Sequence, residues 1–543
     1  MSWSPPDARQ IAWYCLLVFA GGIVKAEHPS SVSPATSVES VAEEISRQVS
    51  AACEQAGVIS APPCSDREFV RRVYLDLAGQ IPKVAEVENF LADDRDDKRR
   101  HLIESLTASE DYAIHFADSF DTLLMGRGNA GDYRNRNQHG WRRYLEEVFR
   151  QNRPWNTVVQ EIVLARPSND TDQAAFWFLY ERRDKHQEIA EAVAPAVFGI
   201  RVECAQCHDH PLADEILQQH YWGLVAFFNR SKNVNTKNGP RVSESAIGGF
   251  SEFADLTGDS QPNLLSFFQA EVIAEPRPEK GAQQEDRDDL YQPSAFPDNP
   301  RVPNFSRREK FAKQVVAAHP LVARAMVNRL WALMMGRGIV HPHDEMDSVH
   351  EPSHAQLLDR LADDFRESGC DIRRLVRAIA LSEPYQRSSR RPDAVDDPAT
   401  FAWYLERPLT AEQLARSMQV ALHGRFRNDH PLLGQLRQQF KDVLPEENVT
   451  RIKDALFLSN NPSVQRFINE SNQPHHLVPQ LQQIESTSQQ VALLFQTVFS
   501  RPPTADEQEA VIAYLDSNSG EKQQRWRQVV WSLLASAEFR FNH

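Results

Sequence analysis

Phe69-Val70-Arg71-Arg72-Val73-Tyr74-Leu75-Asp76-Leu77 sets the class of fold. Its apolar residues return at three- and four-residue intervals, the period of a helix laid against a core rather than of a strand. The same period runs through Val41-Ala42-Glu43-Glu44-Ile45 upstream and Val84-Ala85-Glu86-Val87-Glu88-Asn89-Phe90-Leu91 downstream, with Pro82, Pro154 and Pro167 as punctuation. Short helices of this kind stack as an orthogonal bundle. Further along, Ile189, Val193, Ala194, Val197 and Phe198 share one helical face that Pro195 kinks. Tyr221-Trp222-Gly223-Leu224-Val225-Ala226-Phe227-Phe228 supplies a second apolar wall.

Between these two walls stands Cys204-Ala205-Gln206-Cys207-His208, continued by Asp209-His210-Pro211. Two thiols at this spacing can reach the two vinyl groups of a porphyrin, and the next imidazole can reach its iron, so the motif predicts covalent haem c on Cys204 and Cys207 with His208 as proximal ligand. Asp209 or a backbone carbonyl is expected to orient the other nitrogen of His208. The distal candidates are His210, His220, Met326 and His350, with His115, His139 and His343 further afield. A filled sixth position would suit electron transfer and an open one small-molecule oxidation. The competing readings are a zinc site using Cys204 and Cys207 with His208, His210 or His220, although no second Cys-x-x-Cys completes the usual structural set, and a redox or structural dithiol.

From 229 to 305 the pattern breaks up into Gly, Pro, Asn, Asp and Gln, with Ser266-Phe267-Phe268 and Ala270-Glu271-Val272-Ile273 as candidate strands. Helical periodicity returns near Arg307. Leu321 to Trp331 is strongly periodic and stops at Gly336-Arg337-Gly338; further helices cover Ala355 to Phe365, Ile372 to Ser382 and Trp526 to Phe541. Thr410 to Gln413 and Thr504 to Glu507 read as capping boxes. The fold expected is mainly α: two orthogonal helical bundles, 41–228 and 306–543, joined by a loop-rich, partly β insertion at 229–305. His341 to His354 concentrates imidazoles and carboxylates in a loop, read as a solvated acidic segment or as the rim of a divalent-cation or active site. Arg324, Asn328 and Arg329 are expected to tie helices to buried carboxylates, with Asp359, Asp363 and Asp364 as partners, or to hold an anion.

The first residues follow the charged, apolar and small-residue order of a secretory signal, with cleavage expected after Ala26 and a flexible leader over 27–40; an uncleaved membrane anchor is the alternative. No later run is apolar enough to span a bilayer. Export to the periplasm or beyond agrees with haem c and with a Cys53–Cys64 disulfide, leaving Cys370 as a buried small hydrophobe. The formal charge of -15, from 75 acidic and 60 basic residues, argues against a nucleic-acid binder.

Phe69 to Gly79 and the Cys204 to Pro211 string, together with Val327-Asn328-Arg329-Leu330-Trp331, Gly336-Arg337-Gly338, Pro352-Ser353-His354 and Glu538 to His543, resemble a two-part family abundant in planctomycetes and related bacteria. It joins a cytochrome-like domain of the DUF1549 (PSCyt2) type to a DUF1553 (PSD1) partner. The resemblance implies an exported haem c protein. Some relatives add an N-terminal cytochrome domain with its own haem motif; this sequence lacks it, so a single haem is expected. It carries no substrate across, and the redox partner, protein or small molecule, stays unnamed. Against the lead reading stand a divalent-metal-dependent enzyme acting on an anionic or polymeric substrate, and a non-catalytic surface assembly protein.

Overall fold

Ser65 opens the Asp66–Leu77 helix by accepting a hydrogen bond from the Glu68 amide, which satisfies one of the free N–H groups of the first turn. This helix is buried on every side. Phe69, Val70, Val73 and Leu77 enter an apolar cluster that runs from Val41 to Leu405, while Leu75 enters a second cluster that runs on to Phe539. Arg71 and Arg72 are buried with it: Arg71 donates to the Val498 carbonyl at 2.9 Å, and Arg72 donates to the Arg387 carbonyl at 2.8 Å and stacks 3.7 Å from the Tyr404 ring centre.

The computed structural model describes residues 37–543 other than 170–171, 280, 294–297, 394, 441–442, 445–451, 471–472 and 518–520. The expected signal segment 1–26 and nearly all of the leader lie outside the described residues; Val38 to Ser40 already belong to the helix Val38–Gln55. The fold is mainly α, with three two-stranded antiparallel sheets among the described residues. No helix among them is long and apolar enough to cross a membrane.

Local signals hold in detail. Both capping boxes form, at Thr410 and Gln413 and at Thr504 and Glu507. The periodic run after His319 becomes the helix Pro320–Met335, stopped by Gly336 at φ 81°, a left-handed conformation that favours glycine. Pro195 has the expected effect: the helix His186–Val193 loosens into a π-turn over Ala194–Phe198 and ends at Gly199.

The insertion differs from its expected layout. Its strands are Ser231–Thr236 paired with Gly239–Glu244, and Glu252–Ala254 paired with Ser260–Pro262. The segments 266–268 and 270–273 form no strand; Ile273 makes one isolated bridge, to Leu265. Phe267 and Phe268 act as anchors, buried against Phe198, His319 and His220. The Cys53–Cys64 disulfide does not form either: both thiols are buried and unbonded, and Cys53 Sγ faces the Thr400 carbonyl at 3.5 Å. Cys370 is buried, as expected.

Candidate functional site

The π-turn delivers the chain through Gly199 and Arg201 to a single 3-10 turn, Glu203–Gln206, that carries the Cys-x-x-Cys-His motif. Val202 and Ala205 point inward and are buried, which leaves Cys204 and Cys207 exposed on the outer side. His208 Nδ1 lies 2.6 Å from the Asp209 carbonyl oxygen, so that nitrogen is held as a donor and Nε2 is left with the lone pair. The Asp209 side chain in turn accepts from the Gln218 amide at 2.7 Å, at the start of the helix Gln218–Phe228. The Gln206 carbonyl receives Trp222 Nε1 at 3.0 Å. The motif is thereby pinned to the helix behind it while its reactive atoms face out.

Residues 341–350 form a strap bonded to the chain on either side of the motif. Met346 N donates to the Gly199 carbonyl at 2.8 Å, Arg201 pairs with Asp344 and Glu345, and Ser348 donates twice to the Glu215 carboxylate. The acidic loop is therefore tied at both ends to the motif segment. The helix Pro320–Met335 braces both partners from within. Asn328 exchanges hydrogen bonds with Val340, and Arg329 donates to the Pro195 and Ala196 carbonyls of the π-turn. Sequence reasoning gave Asn328 and Arg329 carboxylate partners; their role here is to hold backbone, Asn328 at Val340 and His343 and Arg329 at the π-turn. Arg324 does pair with Asp359, whereas Asp363 and Asp364 serve Arg366 and Arg374.

His210, His220 and His350 are engaged. His210 Nδ1 accepts from the Leu212 and Ala213 amides, and His220 Nδ1 from the Leu217 amide; an accepting Nδ1 places the ring proton on Nε2. His350 is held between Asp347 and Glu345, His139 stacks on Trp177, and Met326 is fully buried. His115 sits in a different helix, Glu110–Met125, beside Phe116. Burial pushes His343 down to about 4 against the pull of Asp344, and it lowers His220 as well.

Among the described residues no three His, Cys, Asp or Glu side chains surround a point that could hold a metal ion. A tetrahedral zinc needs converging donors about 2.3 Å from one centre; haem c needs two sulfurs held apart and one axial nitrogen. The donor set fits the second requirement. Exposed apolar side chains add to the fit. Leu212 follows the motif, Val349 lies on the strap, and Leu256 lies on the Glu252–Pro262 hairpin, where the Ala254 carbonyl shares Gln218 Nε2 with Gln206. Trp222 stacks over Phe253 on the same hairpin, 6.5 Å between centres. Sequence patterning missed Leu212, Val349 and Leu256 because none of them belongs to a periodic apolar run.

The site thus defines a mainly α protein with an outward Cys-x-x-Cys-His turn strapped by an acidic loop from a later helical region. Residues 44–233 match PSCyt2, a protein of unknown function (DUF1549), and residues 307–431 match PSD1, a protein of unknown function (DUF1553). The chain belongs to this PSCyt2 and PSD1 family. No curated protein and no solved structure matches it.

Proposed function

We propose that this chain is an exported protein carrying one covalent haem c, held by thioethers to Cys204 and Cys207 with His208 Nε2 as the axial nitrogen, and that it exchanges electrons with, or oxidises, a partner at that site. The observation that carries the reading is the pairing of two outward thiols with an imidazole whose Nδ1 is already held by the Asp209 carbonyl. Bound haem would supply one-electron chemistry. The chain's own residues fix His208, shield one side with Trp222 and the hairpin, and keep His210, His220 and His350 occupied, which favours a sixth position open to small ligands.

Production with a haem-maturation system tests this directly. The wild type should keep its pigment through denaturing extraction with a sharp reduced α-band, and cyanide should shift the spectrum of the folded protein. Cys204→Ser with Cys207→Ser should lose all covalent pigment. Wild-type protein that releases every trace of colour on extraction, or binds only zinc, sinks the proposal. Indifference to cyanide would instead remove the open sixth position and leave electron transfer.

A further inference from the structure

Four imidazoles meet in the second apolar cluster, away from the Cys-x-x-Cys-His turn. His423 ends the helix Ala411–His423, His430 caps Pro431–Gln439, and His475 and His476 lead into Leu477–Gln482. The His423 and His476 rings stack with centres 4.3 Å apart, and His475 stands 4.5 Å from His476. His423 and His430 each lie 4.9 Å from the ring of Phe467, on the helix Pro462–Asn469. Leu422, Leu432, Phe467 and Leu477 are buried in the same cluster, so the imidazoles sit where four helices join.

Hydrogen bonds fix how these rings can take up acid. His430 Nδ1 accepts from the Leu432 amide at 3.2 Å, and His476 Nδ1 accepts from the Gln473 amide at 3.1 Å. An accepting Nδ1 puts the proton of the neutral ring on Nε2, so a second proton can go only to Nδ1, where it breaks the bond and opposes an N–H. At His430 it also places a cation at the first turn of a helix, the unfavourable end of the dipole. Protonating both His423 and His476 turns a stack of neutral rings into a like-charge pair. Burial, then His476, His430, His475 and Arg425, push the His423 pKa down to about 4. Burial, then Arg427, lower that of His430 against Asp429 and Glu470. Of the other charges on the packed helices, Arg437 pairs with Glu412, Arg466 is exposed, and Arg525 donates to the Leu515 carbonyl.

We infer that this four-histidine joint is an acid-operated latch: neutral, it ties the four helices together; protonated, it lets them part while the Cys-x-x-Cys-His turn, packed in the first cluster, stays folded. The sign follows from the bonds that a proton must break. The unfolded chain takes up these protons near pH 6.5 and the closed joint resists them, so the latch is fully held above 6.5 and loosens as pH falls toward 4. The inference stands apart from the haem reading, since it needs no bound group.

Hydrogen exchange of the full-length protein at pH 7 and pH 5, corrected for the intrinsic pH dependence of exchange, tests it. Each imidazole that resists its proton contributes a factor of about ten per pH unit below 6.5. Amides of Pro431–Gln439 and Leu477–Gln482 should therefore open at least about tenfold more often at pH 5, while those of Pro320–Met335 change little. The triple variant His423→Phe, His430→Asn and His476→Asn keeps the stacking face and puts an Asn Oδ1 where each accepting Nδ1 stands, so it should hold the latch shut at both pH values. Should the triple variant fail to fold at pH 7, His430→Asn alone, expected to cut the acid-induced opening at least about threefold, decides in its place. The inference is overturned if the wild type opens no more at pH 5 than at pH 7, if Pro320–Met335 opens in step with the latch helices, or if the variant keeps the full acid response.

Discussion

At the scale of single residues, His115 is the clearest case of a side chain whose surroundings decide its chemistry. It is buried beside Phe116, its Nδ1 has no partner, and burial, followed by the nearby Arg416, pushes its pKa down to about 3. Asp118 and Glu412 oppose the shift and Arg407 adds to it. The sign follows from linkage. The unfolded chain takes up this proton near pH 6.5 and the folded chain does not, so stability is complete above 6.5 and is lost as pH falls toward 3. Between pH 7 and pH 4 the loss from this one group is about 2–3 kcal/mol. Denaturant titrations of wild type and His115→Leu at a series of pH values should diverge by that amount, the variant losing less; parallel curves would mean that His115 is protonated in the fold. Residues of this kind were invisible in the sequence, because a lone histidine on a helix gives no sign of whether its nitrogens will find partners.

Among the elements, the approach to the Cys-x-x-Cys-His turn depends on Gly199. Its φ is 68°, and a Cβ there would lie 2.9 Å from both Ala325 Cβ on the bracing helix and Met346 Sδ on the strap. Gly199→Ala should therefore cost about 1–3 kcal/mol through strain and overpacking. Because Met346 N bonds to the Gly199 carbonyl, proteolysis within 341–350 should also become faster in the variant. An unchanged unfolding midpoint together with an unchanged cleavage rate would show that the strap does not need the close approach. Helix positions, caps and stops were legible in the sequence because they depend on contacts three or four residues apart: the boxes at Thr410 and Thr504 and the stop at Gly336 formed as read. The strap was not, since its meaning lies in Arg201, Glu215 and Gly199, more than a hundred residues away. The insertion misled for a related reason. Phe267 and Phe268 looked like strand residues but serve as plugs, while the actual hairpins are polar and show little alternation.

For the molecule as a whole, the parts are locked together at Asp76. This carboxylate, fully buried on the Asp66–Leu77 helix, receives Tyr385 OH at 2.8 Å, Tyr404 OH at 3.0 Å and Asn542 Nδ2 at 2.6 Å, and pairs with Arg407. Arg407 and Asn542 face each other in the short sheet Arg407–Pro408 with Phe541–Asn542. One side chain therefore joins the first helical region, the segment between the two apolar clusters, and the last strand. Removing it leaves a buried guanidinium without its anion, a loss of about 3–5 kcal/mol. Asp76→Ala should lower stability by that much in chemical denaturation. Since Leu75 and Ile81 belong to the second cluster while Phe69 and Val73 belong to the first, the variant should also split one unfolding transition into two, with the part built on Leu409 to Phe539 released first. A double-mutant cycle with Arg407→Met separates the pair from the rest: the double variant should recover much of the loss, because neither charge is then left alone. If the two single losses simply add, Asp76 acts through the tyrosines and Asn542 and not through Arg407, and the joint is a hydrogen-bonded knot instead of an ion pair.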